Sequence, residues 1–180
     1  RTTIIINEDM LATASALTGI KKKTALVHMG LEALIAKASA ARLAHLSGSE
    51  RGLDPFPGAE FRKMILVDTS VWVDHLRNGN DALSERLLKN EVSCHPMIIG
   101  ELACGNLKRR KEILALLHAL PTVGRVSDDE ILFFIEQHRL SGRGLGLVDI
   151  HILASCVISR TPLWTMDGRL RQAANELADN

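Results

Sequence analysis

The stretch EFRKMILVDTSVWVDHL, residues 60–76, decides how the chain is read. Met64 stands a third of the way along and opens an apolar run, Ile65-Leu66-Val67, that ends in the carboxylate of Asp68. A short apolar run bounded in this way predicts a buried parallel strand, and ligands of open α/β sheets bind at the carboxyl ends of such strands. Asp68 is therefore either a functional acid or the N-cap of a helix beginning at Thr69. The rest of the chain has to separate these two readings.

Downstream of Asp68 the pattern alternates. ALSERLLKN predicts a helix, EVSCH a strand, PMIIGELACG a helix with Pro96 in its first turn, RRKEILALLHAL a helix and TVGRV a short strand. SDDEILFFIEQHRLSG opens on a Ser127 cap, the glycine-rich GRGLG leads into the helical LVDIHILASCVIS, and LWTM predicts a strand before DGRLRQAANELA. Alternation of this kind predicts an α/β domain with a mostly parallel sheet flanked by helices, over residues 64–180. Within it four acids stand in apolar or glycine-marked settings: Asp68, Glu101 in IIGELACG, Asp149 in GLVDIHILAS, and Asp167 after LWTM. Clustered carboxylates oppose one another's ionisation, and a hard divalent cation such as Mg²⁺ relieves that repulsion through oxygen ligands. An ion held this way can activate water against a phosphodiester.

Upstream, RTTIII predicts a strand, Asn7 caps a helix over EDMLATASALT, Gly19 ends it, and a second helix runs from near Lys22 to Gly48 with Leu26, Met29, Leu34, Ala41 and Leu46 among its apolar positions. One strand and two helices within residues 1–47 bury little core alone, so a two-fold partner supplying a second strand is expected. Such a two-stranded ribbon fits the major groove of DNA. Residues 48–63, rich in Gly, Pro and charge, predict a linker or extended tail.

Composition sets bounds. Of 180 residues, 46% are hydrophobic and 24% charged, which is globular. Aromatics are 3%, so cores must be aliphatic. No apolar run approaches the ~20 residues of a membrane helix, and the amino terminus lacks a signal-peptide pattern. Cys94, Cys104 and Cys156 form no CxxC pair, which argues against zinc and a disulfide framework and fits buried thiols in the cytoplasm. The net charge of +1 divides at Met64: nine Lys/Arg face six Asp/Glu before it, and thirteen face fifteen from it onward. The front can meet a polyanion.

RTTIIINEDMLATASALTGIKKKTALVHMGLEALIA resembles the ribbon-helix-helix antitoxins of the VapB type. That resemblance implies that Arg1 and Thr3 read base edges of operator DNA, while Lys22, Lys23 and Thr24 hold phosphates. Ile5 departs from the pattern, offering only apolar contact where a polar reader is expected. MILVDTSVWVDHL, IIGELACG, GLVDIHILAS and LWTMDGRL resemble, in order, the blocks of PIN-domain nucleases of the VapC type. Carried over, Asp68, Glu101, Asp149 and Asp167 are the catalytic metal-site acids for Mg²⁺ or Mn²⁺, with Ser70 and Thr165 beside them, and RNA is the substrate. The pair implies an antitoxin joined to its toxin, with Met64 as the toxin's own start and self-association through the amino-terminal strand and the PIN domain. The tail around Leu53, Pro55, Phe56 and Pro57 is then expected to lie in a groove of the toxin, with Arg51, Arg62 or Lys63 over the acids.

Two other readings use the same residues. One is a DNA-binding transcriptional regulator with a silent PIN fold. The other is a phosphohydrolase with Asp68 as nucleophile, which Ser70 disfavours because a second acid is usually needed there. The histidines show no metal-ligand spacing, so His75, His95, His118, His138 and His151 are read as core or surface. GRGLG lacks a P-loop lysine and reads as a flexible loop in which Arg143 is a candidate for RNA phosphate.

Overall fold

A computed structural model describes residues 5–46 and 64–178. Arg1 and Thr3, and the tail residues Arg51, Phe56, Arg62 and Lys63, lie outside the described residues. Of the strand expected over residues 1–6, only Ile5 and Ile6 are described; neither is in a strand, and Ile5 is fully exposed. The amino-terminal module is helical in its described part. Helix α1, Glu8–Thr18, starts where the Asn7 side chain accepts from the Asp9 and Met10 amides. It ends at Gly19, whose φ of 72° suits a residue without Cβ.

Helix α2, Lys23–His45, starts where expected and ends before Gly48. Leu26 is buried, but Met29, Leu31, Leu34 and Ile35 are exposed. Burial concentrates in the last turns at Ser39, Ala40, Leu43 and Ala44, which pack on two helices of the downstream domain. Alanines let the helix approach closely, and Leu43, with no exposed surface, enters the downstream core. His75 Nε2 reaches the Leu43 carbonyl at 2.9 Å, and Arg42 pairs with Glu112 at 2.7 Å.

That domain is built on three parallel strands, β1 Ile65–Val67, β2 Val92–Ser93 and β3 Leu163–Trp164, in the order β2-β1-β3. Ile65 pairs with Val92 and Val67 with Trp164, so β1 is central, and its Leu66 and Val67 are enclosed. TVGRV was expected to be a strand, but among the described residues it supplies only a bridge from Thr122 to Cys94. Val123 and Val126 are buried on the irregular segment that follows. The flanking helices are α3 Thr69–Asn78, α4 Asp81–Leu88, α5 Pro96–Cys104, α6 Arg110–His118, α7 Asp128–Gln137, α8 Leu147–Ser159 and α9 Gly168–Ala178. Helices α4 and α6 receive α2. Helix α7 begins with a reciprocal cap between Ser127 and Glu130.

Leu43, Leu66, Val67, Trp72, Leu83, Leu87 and Leu117 share one core, while Ile131, Phe134, Leu153 and Leu170 form a second. Cys94 and Cys156 are buried, and burial pushes both thiols up to about 12. Cys104 is exposed, against expectation, because it lies in the last turn of α5. Among the described residues no helix is long and apolar enough to cross a membrane.

Candidate active site

Asp68 follows β1 and caps α3, as the N-cap reading expects. It is 5% exposed, and its Oδ2 accepts from Ser70 Oγ at 2.6 Å, Thr165 Oγ1 at 2.8 Å and the Ser70 amide at 3.3 Å. These bonds satisfy one oxygen of the buried carboxylate. Ser70 Oγ accepts from the Met166 amide at 3.0 Å, and Thr165 Oγ1 from the Asp167 amide at 3.0 Å. The two hydroxyls therefore lock the end of β1 to the turn after β3.

Asp167 lies in that turn and is exposed; its Oδ1 accepts from the amides of Arg169 and Leu170, capping α9. Asp149 sits in the first turn of α8 and folds back so that Oδ2 accepts from the Gly146 amide at 2.8 Å. Burial raises its pKa above the ordinary value; the Gly146 amide opposes the shift, and the negative charges of Asp68 and Asp167 add to it. Glu101, on exposed surface of α5, accepts from Thr69 Oγ1 at 2.6 Å, next to Asp68 in sequence. Four separate elements thus bring acids to the carboxyl end of the sheet. Among the described residues none of the four has an ion-pair partner.

An all-oxygen, all-anionic donor set suits a hard divalent cation in chemistry and charge. As the side chains stand, however, no three of His, Cys, Asp or Glu among the described residues converge on one point. Glu101 is turned to Thr69, and Asp167 is occupied as a cap. The residues fit the ion in kind, and closing around it requires rotation of exposed side chains.

Other residues singled out from the sequence fall as follows. Lys23 pairs with Glu8 at 2.7 Å on exposed surface, Lys22 is the N-cap position of α2, and Thr24 lies in its first turn. Arg143 pairs with Glu176. His151 is buried, and its Nδ1 has no hydrogen-bond partner. His95 Nδ1 accepts from the Met97 amide at 3.1 Å, so its Nε2–H donates to Ser155 Oγ at 3.1 Å. Sequence reasoning missed the contact of His75 with Leu43, for which nothing local gives a signal. It also passed over Arg169, whose guanidinium lies against Gly144.

Residues 65–176 match the PIN domain model, and residues 1–46 match the model described as bacterial antitoxin of type II TA system, VapB. Ribonuclease VapC32 of Mycobacterium tuberculosis, in strains CDC 1551 / Oshkosh and ATCC 25618 / H37Rv, is 46% identical over 114 residues, which are 63% of this chain and 92% of that protein. Antitoxin VapB32 of the same organism is 44% identical over 50 residues, 28% of this chain and 77% of that protein. No solved structure matches. The chain belongs to the PIN-domain family, as the parallel sheet and its acids at the carboxyl end lead one to expect. More particularly, it is a VapB–VapC fusion, with the antitoxin segment first and the PIN toxin second.

Proposed function

We propose that the PIN domain is an endoribonuclease dependent on Mg²⁺ or Mn²⁺, restrained by the antitoxin segment, which also dimerises and binds operator DNA for autoregulation in the cytoplasm. The observation that carries the nuclease reading is the shared negative field of Asp68, Asp149 and Asp167, with no basic partner for any of them among the described residues. Asp68, Glu101 and Asp149 would hold the ion, with Asp167 as the fourth acid. When bound, the ion supplies neutralisation of the cluster, activation of water and stabilisation of charge on the scissile phosphate. Ser70 and Thr165 hold Asp68 Oδ2, which orients the carboxylate and leaves Oδ1 as its donor. Gly146 anchors Asp149 in the same way. RNA as substrate rests on the printed name of the VapC32 relative. Arg1, Thr3, Lys22, Lys23 and Thr24 are the DNA-facing residues of this reading, and Arg51, Phe56, Arg62 and Lys63 the inhibitory ones.

The test is RNA cleavage with Mg²⁺ or Mn²⁺ after the chain is cut at an engineered protease site within residues 48–63 and its halves are separated. Cleavage by the parent toxin half and loss of it in Asp68→Asn is expected. Equal cleavage by both rejects the site. Absence of both cleavage and divalent-ion binding favours a DNA-binding regulator with a silent PIN fold.

A further inference from the structure

The turn after β3 and the loop before α8 meet at one side chain. Arg169 is anchored beside Asp167, since its amide donates to Asp167 Oδ1 at 2.8 Å. Its guanidinium lies where Gly144, at φ +71°, leaves room: a Cβ built on Gly144 would stand 2.7 Å from Arg169 Nη1. Two residues further on, the Gly146 amide holds Asp149 Oδ2 at 2.8 Å, and two residues of chain span at most about 7 Å. Arg169 is thus fixed at its backbone by one acid of the cluster and laid along the loop that holds another.

We propose that Arg169 grips a backbone phosphate of the bound RNA at the rim of the acid cluster. The assignment rests on the ribonuclease reading and adds to it the residue that holds the strand. A pocket of carboxylates repels a polyanion, so a cation is needed at its edge that does not itself neutralise the acids. Arg169 meets both conditions. Among the described residues its guanidinium makes no ion pair or hydrogen bond. Arg143, the arginine of the same glycine loop, is committed to Glu176. A planar guanidinium presents paired donors that match two phosphate oxygens.

The experiment measures binding without cleavage. Full-length Asp68→Asn protein in EDTA is titrated into fluorescein-labelled single-stranded RNA, with excess unlabelled duplex DNA occupying any site on the antitoxin segment, and anisotropy is read at several salt concentrations. Adding Arg169→Ala is expected to weaken binding about tenfold and to lower the slope of log K against log salt by about 0.7, the loss of one phosphate contact on a single strand. Arg169→Lys should keep the slope and recover part of the affinity, and Arg143→Ala should change neither. Unchanged affinity and slope in Arg169→Ala, or an equal loss in Arg143→Ala, overturns the assignment while the ribonuclease reading stands. A parent that binds no RNA, either intact or after cleavage at the protease site within residues 48–63, overturns both.

Discussion

Leu43 belongs to the antitoxin segment, yet it is fully enclosed in the core of the PIN domain. Leu43→Ala removes three carbons from a site where α2 packs on α4 and α6. Truncations of this kind cost about 2–5 kcal/mol, because the lost transfer energy is joined by that of the cavity left behind. The lower end applies if α2 slides to close the gap. The His75 bond to the Leu43 carbonyl is made to backbone and survives the change. With a urea m-value of ~2 kcal/mol/M, the midpoint should fall by about 1–2.5 M. Trp72 is fully buried in the same core, and its fluorescence reports the transition. Leu34→Ala is the control: Leu34 is 62% exposed on the same helix, and its truncation should shift stability by no more than about 0.5 kcal/mol. Docking from a second copy of the chain would give the same loss with a midpoint that depends on protein concentration. A Leu43→Ala midpoint as little changed as that of Leu34→Ala would refute the packing of α2 on the toxin.

Two further outcomes follow from titration. Asp149 has a raised pKa, so the folded protein binds its proton more readily than the unfolded chain, and stability falls as pH rises above 3.8 through the raised value. Asp149→Asn should therefore stabilise the metal-free protein at pH 7, with the difference closing as pH falls toward 3.8, measured by thermal unfolding; excess Mn²⁺ should close it at pH 7 by stabilising the parent. His95 behaves in the opposite sense: burial first, then His151 and Arg125, lower it from 6.5 to about 4. Its contribution is complete above pH 6.5 and is lost as pH falls from 6.5 to about 4, so His95→Asn, which retains an acceptor for the Met97 amide, should flatten the acid limb of the stability curve.

The sequence by itself determined most of the helices and several of their caps. Local chemistry suffices for these: Asn7, Ser127 and Gly19 cap within a few residues of themselves, Pro96 starts a helix, and the short apolar run Ile65–Val67 reads as a strand. It also made the four acids visible, because a carboxylate in an apolar run is conspicuous without any fold. Strand length was less legible: TVGRV carries strand-forming residues, but pairing depends on a neighbour, and among the described residues only Cys94 meets it.

Tertiary structure alone decided which surfaces meet. Leu34 and Met29 stand among the apolar positions of α2, whereas the face that is covered runs through Ala40, Leu43 and Ala44. A helical period identifies candidate faces, and the partner chooses among them. The bond of Thr165 to Asp68, the engagement of Arg143 by Glu176 and the placing of Arg169 along Gly144 all join residues distant in sequence. Such contacts depend on three-dimensional separation, which a linear pattern does not encode.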